Sequence, residues 1–138
     1  MARTLSYQDA THLLRRAAAR GRKEEAQHLV EMGLEAAVDS LLQDPAPAPP
    51  FHTEVSSNER GDQHRQMIQA WLTHWLTTTT PAAERLVLFW HGHLTSEFRS
   101  TMGAQSSDAW TQFEVFRQNA YGPFSKLLKA VAHNPMML

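Results

Sequence analysis

The chain has 138 residues, no cysteine and a net charge of −1. This length corresponds to one domain or part of one, and it can bury a hydrophobic core without disulfides. Hydrophobic residues make up 42% of the chain and charged residues 20%, a composition that excludes a disordered protein. The near-neutral charge argues against a nucleic-acid partner. The absence of cysteine excludes disulfides, thiolate zinc ligands and a cysteine nucleophile.

The sequence contains no candidate transmembrane segment, because no apolar run approaches the roughly 20 residues that a spanning helix needs. The N-terminus enters an amphipathic pattern directly. It has neither an apolar signal core nor a small-residue cleavage site. We therefore expect a cytoplasmic protein, or a chain that begins after a removed signal peptide.

Three short helices are predicted first. Ser6 can cap a helix whose apolar stripe ends at Gly21. A second helix should run from about Lys23 to Met32, with Gly33 as its end signal. Apolar residues at helical spacing between Leu34 and Leu42 mark a third helix.

A proline-rich segment begins at Asp44, and the polar stretch behind it extends to about residue 62. Proline removes backbone donors and pushes the residue before it towards extended conformations. We therefore expect a surface connector over about residues 44–62. It would lie within one helical domain, or a fragment of one, that spans residues 1–138.

The next two helices carry most of the apolar residues. Met67 to Leu76 form a wide apolar face on the first of them. Thr80 is the predicted N-cap of the second, and Pro81 is its first residue. From Leu86 onward this helix is apolar on every side, which favours a central position in the fold.

Two further helices complete the predicted fold. Ser107 or Asp108 can cap the first, and Gly122-Pro123 can end it. Apolar residues from Phe124 to Val131 mark the second. No stretch shows the alternation of a strand. The sequence thus predicts an all-α protein, an irregular bundle of six or seven short helices around a central apolar helix.

The candidate functional residues are His91 and His93, at the end of the central helix. Imidazole is a common metal ligand and titrates near neutral pH, so the pair suggests a divalent metal or a proton-transfer site. Residues two apart on a helix point away from each other, so both rings can bind one ion only if Gly92 breaks the helix. The remaining ligands would come from Glu97, His74 or residues beyond the chain.

A structural interpretation of the same pair stays open. In it, His93 donates a hydrogen bond inside the core, His91 caps a carbonyl group, and Gly92 stays helical. His64 and His74 would lie at the rim of a packed face.

The buried positions include charged and aromatic side chains. Arg117 lies on a helix face whose other residues are predicted to be buried, so it needs a carboxylate partner, either Glu84 or Glu97. The four tryptophans have aliphatic neighbours at helical spacing, which favours core packing over base or sugar stacking. They are Trp71, Trp75, Trp90 and Trp110.

The chain ends on an apolar segment directly after a helix stop, whereas termini are usually polar. This pattern predicts that the natural protein continues and that part of its apolar surface is covered by the missing C-terminal part or by another protein. The candidate exposed residues are Trp110, Phe124, Met136, Met137 and Leu138.

Three segments together resemble a bacterial protein family, the domain of unknown function 1800. Residues 13–17 (Leu-Leu-Arg-Arg-Ala) and 32–42 resemble its opening. Residues 84–94 are similar to its central Glu-Arg-…-Phe-Trp-His-x-His-Phe segment. Residues 116–128 and 130–138 are similar to its Arg-x-x-Ala-x-Gly-x-Phe-x-x-Leu-Leu and Asp-Pro-Ala-Met-Leu stretches.

The resemblance implies a helical protein with no established reaction, several times longer than this chain and often exported. It also implies a later Asn-Glu-Asn-x-Ala-Arg-Glu segment, absent here, whose polar groups could complete a site with His91 and His93. Two functions therefore stay open. One is a structural or interaction portion of a larger bacterial protein with no self-contained activity. The other is part of a metal-dependent enzyme whose site is completed beyond residue 138.

Overall fold

A computed structural model describes residues 4–18, 21–48, 50–51, 59–96 and 106–137. The described residues form seven α-helices, one short 3-10 helix and no strand, which confirms the predicted all-α fold. The α-helices are α1 (Tyr7–Ala17), α2 (Lys23–Met32), α3 (Leu34–Leu41), α4 (Arg60–Thr77), α5 (Pro81–His93), α6 (Ser106–Gln118) and α7 (Phe124–Ala132). The 3-10 helix is Pro135–Met137.

Helices α1 to α3 build the first of two hydrophobic cores. Ser6 caps α1 as predicted, because its hydroxyl accepts a hydrogen bond from the backbone N–H of Asp9 at 3.1 Å. Gly33 separates α2 from α3 with φ +79°, a conformation that costs glycine little. The core residues are Leu5, Ala10, Leu14, Ala18, Ala26, Leu29, Ala37, Leu41 and Ala82.

The proline-rich segment reaches the protein interior at two points. The backbone N–H of Ala46 donates a hydrogen bond to the Thr80 hydroxyl at 2.8 Å. The ring of Phe51 stacks on Trp110 with 5.3 Å between ring centroids. Residues 52–58, which belong to the predicted connector, lie outside the described residues. Helix α4 then begins at Arg60.

Helix α5 connects the two cores. It begins at Pro81 as predicted, but the Thr80 side chain does not cap it, since that hydroxyl accepts from Ala46 instead. Ala82 belongs to the first core and Val87 to the second. One side of α5 nevertheless stays exposed at Leu88 and Phe89, although the sequence is apolar all around this helix.

Helices α4 to α7 form the second core. The buried residues there are Met67, Val87, Ala109, Trp110, Phe113, Phe116, Leu127 and Val131. The predicted cap at Ser107 or Asp108 is wrong, because α6 already includes Ser106. In the part of the chain that the structure describes, no helix is long and apolar enough to cross a membrane.

Candidate functional site

The structure places His91 and His93 in different surroundings. Helix α5 continues through Gly92 to His93, so the two rings leave the helix on different sides. The ring of His91 lies 5.9 Å from that of Trp71 and 5.0 Å from that of Phe113. The exposed ring of His93 stacks on the ring of Phe89, with 5.8 Å between the ring centroids. The helical backbone therefore does not bring the two imidazoles to one point.

The other suggested metal ligands do not join the pair in the described residues. His74 faces Glu84 instead, with 3.2 Å between its Nε2 and Glu84 Oε1. Glu97 lies outside the described residues. Among the residues that are described, no group of three or more His, Asp or Glu side chains is arranged to hold a metal ion. The hypothesis of a site completed by residues beyond the chain stays a prediction.

His91 lines a cavity of about 270 Å³, which we call the α4–α6 cavity. Its lining residues are mostly apolar, with a few polar side chains among them, a composition that small-molecule sites share. The lining residues are His64, Met67, Ile68, Trp71, His91, Ser96, Ala109, Gln112, Phe113 and Met136. Helices α4, α5 and α6 and the 3-10 helix thus all contribute to it.

Gln112 is the most deeply buried polar group of this cavity, with 2% of its surface exposed. Its Oε1 accepts a hydrogen bond from the Ser96 hydroxyl at 2.5 Å. Among the described residues, its Nε2, the indole N–H of Trp71 and Nδ1 of His91 have no hydrogen-bond partner. Burial lowers the pKa of His91, so its imidazole is neutral at pH 7.

A buried ionic network lies on the same side of α5 as His91, two helical turns earlier. Arg117 is 3% exposed, and its Nε and Nη2 donate to the two carboxylate oxygens of Glu84 at 2.5 and 3.0 Å. Of the two predicted partners, Glu84 and Glu97, Glu84 is thus the one that pairs with Arg117. His74 completes the network and is buried, so its predicted position at the rim of a packed face was wrong. The spacing of apolar residues on α4 did not indicate that a carboxylate faces His74.

The network keeps Glu84 ionised. Burial acts to raise the pKa of Glu84, but hydrogen bonds from His74 and Arg117 and the positive charge of Arg117 outweigh it. The pKa therefore lies below its usual value of 4.5. Nη1 of Arg117 has no acceptor in the described residues. Arg117 also lines a second cavity, of about 280 Å³, beside Pro45 and Pro47.

Two groups of exposed apolar side chains are considered among the described residues. The α4 ridge consists of Ile68, Leu72 and Leu76, three exposed side chains spaced four residues apart, with Leu76 exposed by 55%. Sequence reasoning assigned these positions to a packed face and missed the ridge. The same apolar periodicity produces a covered or an uncovered helix face, so the sequence pattern could not distinguish them.

The second surface is the aromatic patch, formed by Phe89, Trp90, His93 and Phe124. Its rings already contact one another, edge-to-face between Phe89 and Trp90 and stacked between Trp90 and Phe124, whose centroids are 5.6 Å apart. The exposure predicted for Phe124 is confirmed.

The other predicted exposed residues had mixed outcomes. Met137 is exposed, as predicted, and Met136 is partly buried against the second core. Trp110 was wrongly predicted to be exposed, since it is 4% exposed under Phe51. Leu138 lies outside the described residues.

Comparison with known proteins identifies a family. A family model described as a protein of unknown function (DUF1800) matches residues 12–138. No curated protein and no solved structure matches the chain significantly. The matched region includes the ionic network, the α4–α6 cavity, the α4 ridge and both candidate histidines. Since the match covers nearly the whole sequence, the chain belongs to the DUF1800 family.

Proposed function

We propose that this chain is an interaction portion of a larger bacterial protein, and that the α4 ridge packs against an amphipathic helix outside these residues. The observation that carries the proposal is the ridge itself. Its three aliphatic side chains lie along the 18-residue helix α4 and are all exposed. Side chains four residues apart form one row on a helix, and such rows fit the grooves of a second helix.

The ridge offers enough apolar surface for a stable contact. Full burial of one leucine or isoleucine side chain contributes about 1.5–3 kcal/mol. Each ridge side chain is only about half exposed, so burial of all three contributes about 2–4 kcal/mol on docking. The aromatic patch is less suited to this role, because its rings already cover part of one another.

The neighbours of the ridge define the chemistry of its partner. Gln69 and Thr73 are exposed beside it and are uncharged. Arg65, also nearby, is paired with Asp62 at 3.0 Å. The proposed partner helix therefore needs an apolar stripe with four-residue spacing rather than an opposite charge, as in helix-in-groove recognition.

Cysteine labelling tests the proposal, because the chain has no cysteine of its own. Leu72→Cys reports on the ridge, and Gln27→Cys, on the exposed surface of α2, is the matched control. Both should react with a maleimide in the isolated chain. In bacteria that express the natural gene, Leu72→Cys should be protected and Gln27→Cys should react as before. Equal reactivity of the two positions in cells would contradict the proposal.

The second candidate function is a metal-dependent site split between this chain and residues beyond it. Nδ1 of His91 favours it, because a metal ligand needs a free nitrogen and this atom has no hydrogen-bond partner among the described residues. Zinc titration of the 138-residue chain and of the natural full-length protein separates the two functions. An interaction module predicts equally weak binding for the parent, His91→Ala and His93→Ala. Stoichiometric binding that either substitution abolishes would favour the metal site.

A further inference from the structure

We propose that the α4–α6 cavity receives an aromatic side chain of the helix that packs on the α4 ridge. This inference rests on the proposed function, because it names the residue type that anchors the partner helix. Three properties of the cavity carry it: its position beside the ridge, its volume and the side chains of its wall.

The cavity lies directly beside the ridge on α4. Ile68 belongs to both, since it is the first ridge residue and also lines the cavity. His64, four residues earlier in the same row, lines the cavity as well, and so does Trp71, which precedes the ridge residue Leu72. The cavity thus occupies the side of α4 between the ridge and the buried Met67. A helix that covers the ridge passes alongside the cavity, and one of its side chains can enter it.

The volume of the cavity determines the size of that side chain. The cavity has about 270 Å³, whereas an apolar cavity of about 150 Å³ is enough to bind benzene. A phenylalanine or tryptophan side chain therefore fits. An alanine or valine side chain would leave most of the volume empty and would forgo the van der Waals contacts of the wall.

The wall favours an aromatic side chain over an aliphatic one. Trp71 stacks on Phe113 with 4.5 Å between ring centroids, and the ring of His91 lies 5.0 Å from that of Phe113. A further ring gains from such neighbours more than the burial of its apolar area alone. Met67 and Met136 also line the cavity, and methionine sulfur packs favourably against aromatic rings. A buried aromatic anchor of this kind is a common hot spot where a helix docks in a groove.

Benzene, the ring of a phenylalanine side chain, tests the cavity in the isolated chain. With methyl-¹³C methionine labelling, benzene should shift the NMR signals of Met67 and Met136, which line the cavity. Met32, which packs against the first core, is the control and should not shift. Cyclohexane, of similar size, should bind about two- to tenfold more weakly. Unshifted Met67 and Met136 signals, an equal shift of Met32, or equal binding of cyclohexane would overturn the proposal.

Cavity-filling variants test whether the partner helix uses the cavity. Ala109→Met fills it from α6, and Ala132→Met, the same exchange at an exposed position of α7, is the matched control. Each is combined with Leu72→Cys in cells that express the natural gene. Ala109→Met should raise the rate of maleimide labelling at Leu72→Cys about tenfold or more, and Ala132→Met should leave it unchanged.

The outcomes separate this inference from the proposed function. If Leu72→Cys is protected in cells and a folded Ala109→Met variant leaves it equally protected, the cavity inference alone is overturned. If Leu72→Cys already reacts freely without a second substitution, the proposed function and the cavity inference both fail. Thermal melts check the folding of each variant. Met136→Trp, which fills the cavity from the 3-10 helix, takes the place of Ala109→Met if that variant does not fold.

Discussion

Removal of Arg117 should strongly destabilise the second core. Arg117→Met keeps most of the side-chain volume but leaves Glu84, which is fully buried, without its cation. Breaking a buried ion pair from one side costs about 3–5 kcal/mol. A domain of this size has about 5–15 kcal/mol of total stability, so the variant should lose a large part of it.

The double-mutant cycle gives the size of the interaction. Glu84→Gln alone leaves the Arg117 guanidinium buried without a carboxylate, and it should cost a similar amount. The combination Glu84→Gln/Arg117→Met leaves no buried charge between the two positions. Its cost should fall below the sum of the single effects by about 2–3 kcal/mol. The glutamine side chain introduced by Glu84→Gln still offers His74 an oxygen acceptor, so His74 adds little to this difference.

Urea unfolding followed by tryptophan fluorescence measures these free energies. The matched control is Arg65→Met, because Arg65 forms an exposed pair with Asp62 that is worth less than about 1 kcal/mol. If Arg117→Met destabilises no more than Arg65→Met, or if the cycle is additive, the buried network does not hold the fold together as described.

Three further predictions concern backbone and pH. Gly92 is helical and has open space at its Cβ position. Gly92→Ala should therefore raise the free energy of unfolding, measured in urea, by about 0.5–1 kcal/mol. A destabilised variant would mean that the helix breaks at Gly92. Gly33→Ala should lower the melting temperature, because φ +79° with ψ 167° costs other residues about 1–3 kcal/mol. An unchanged melting temperature would argue against that conformation. The lowered pKa of Glu84 stabilises the fold above pH 4.5, and this stability should be lost as the pH falls below 4.5. In urea titrations, the free energy of unfolding of Glu84→Gln should therefore fall less steeply with decreasing pH than that of the parent. Identical pH profiles would contradict a lowered pKa for Glu84.

The helices were predictable because their start and stop signals are local. Ser6, Gly33 and Pro81 act on the backbone of their own neighbours, and each lies where the sequence predicts an element boundary. Thr80 shows where such reasoning fails. Its hydroxyl has a competing partner, the N–H of Ala46, which is distant in sequence and close only after folding.

The surroundings of the candidate site residues were less predictable, because they too depend on residues that are distant in sequence. A buried arginine requires a carboxylate, so burial predicted a carboxylate partner for Arg117 but left Glu84 and Glu97 as alternatives. The divergence of His91 and His93 depended on whether Gly92 stays helical, which the sequence left open. The α4–α6 cavity could not be predicted, because it arises from the distances between helices rather than from any motif.

Photo-crosslinking from Leu76 tests the proposed docking of the α4 ridge most directly. A benzophenone amino acid placed at Leu76, the most exposed ridge position, should crosslink in cells to one defined segment with an apolar helical stripe. The same amino acid at Gln27, on the exposed surface of α2, should give no such product. Crosslinks from Leu76 that are absent, or as scattered as those from Gln27, would contradict an interaction role for the ridge.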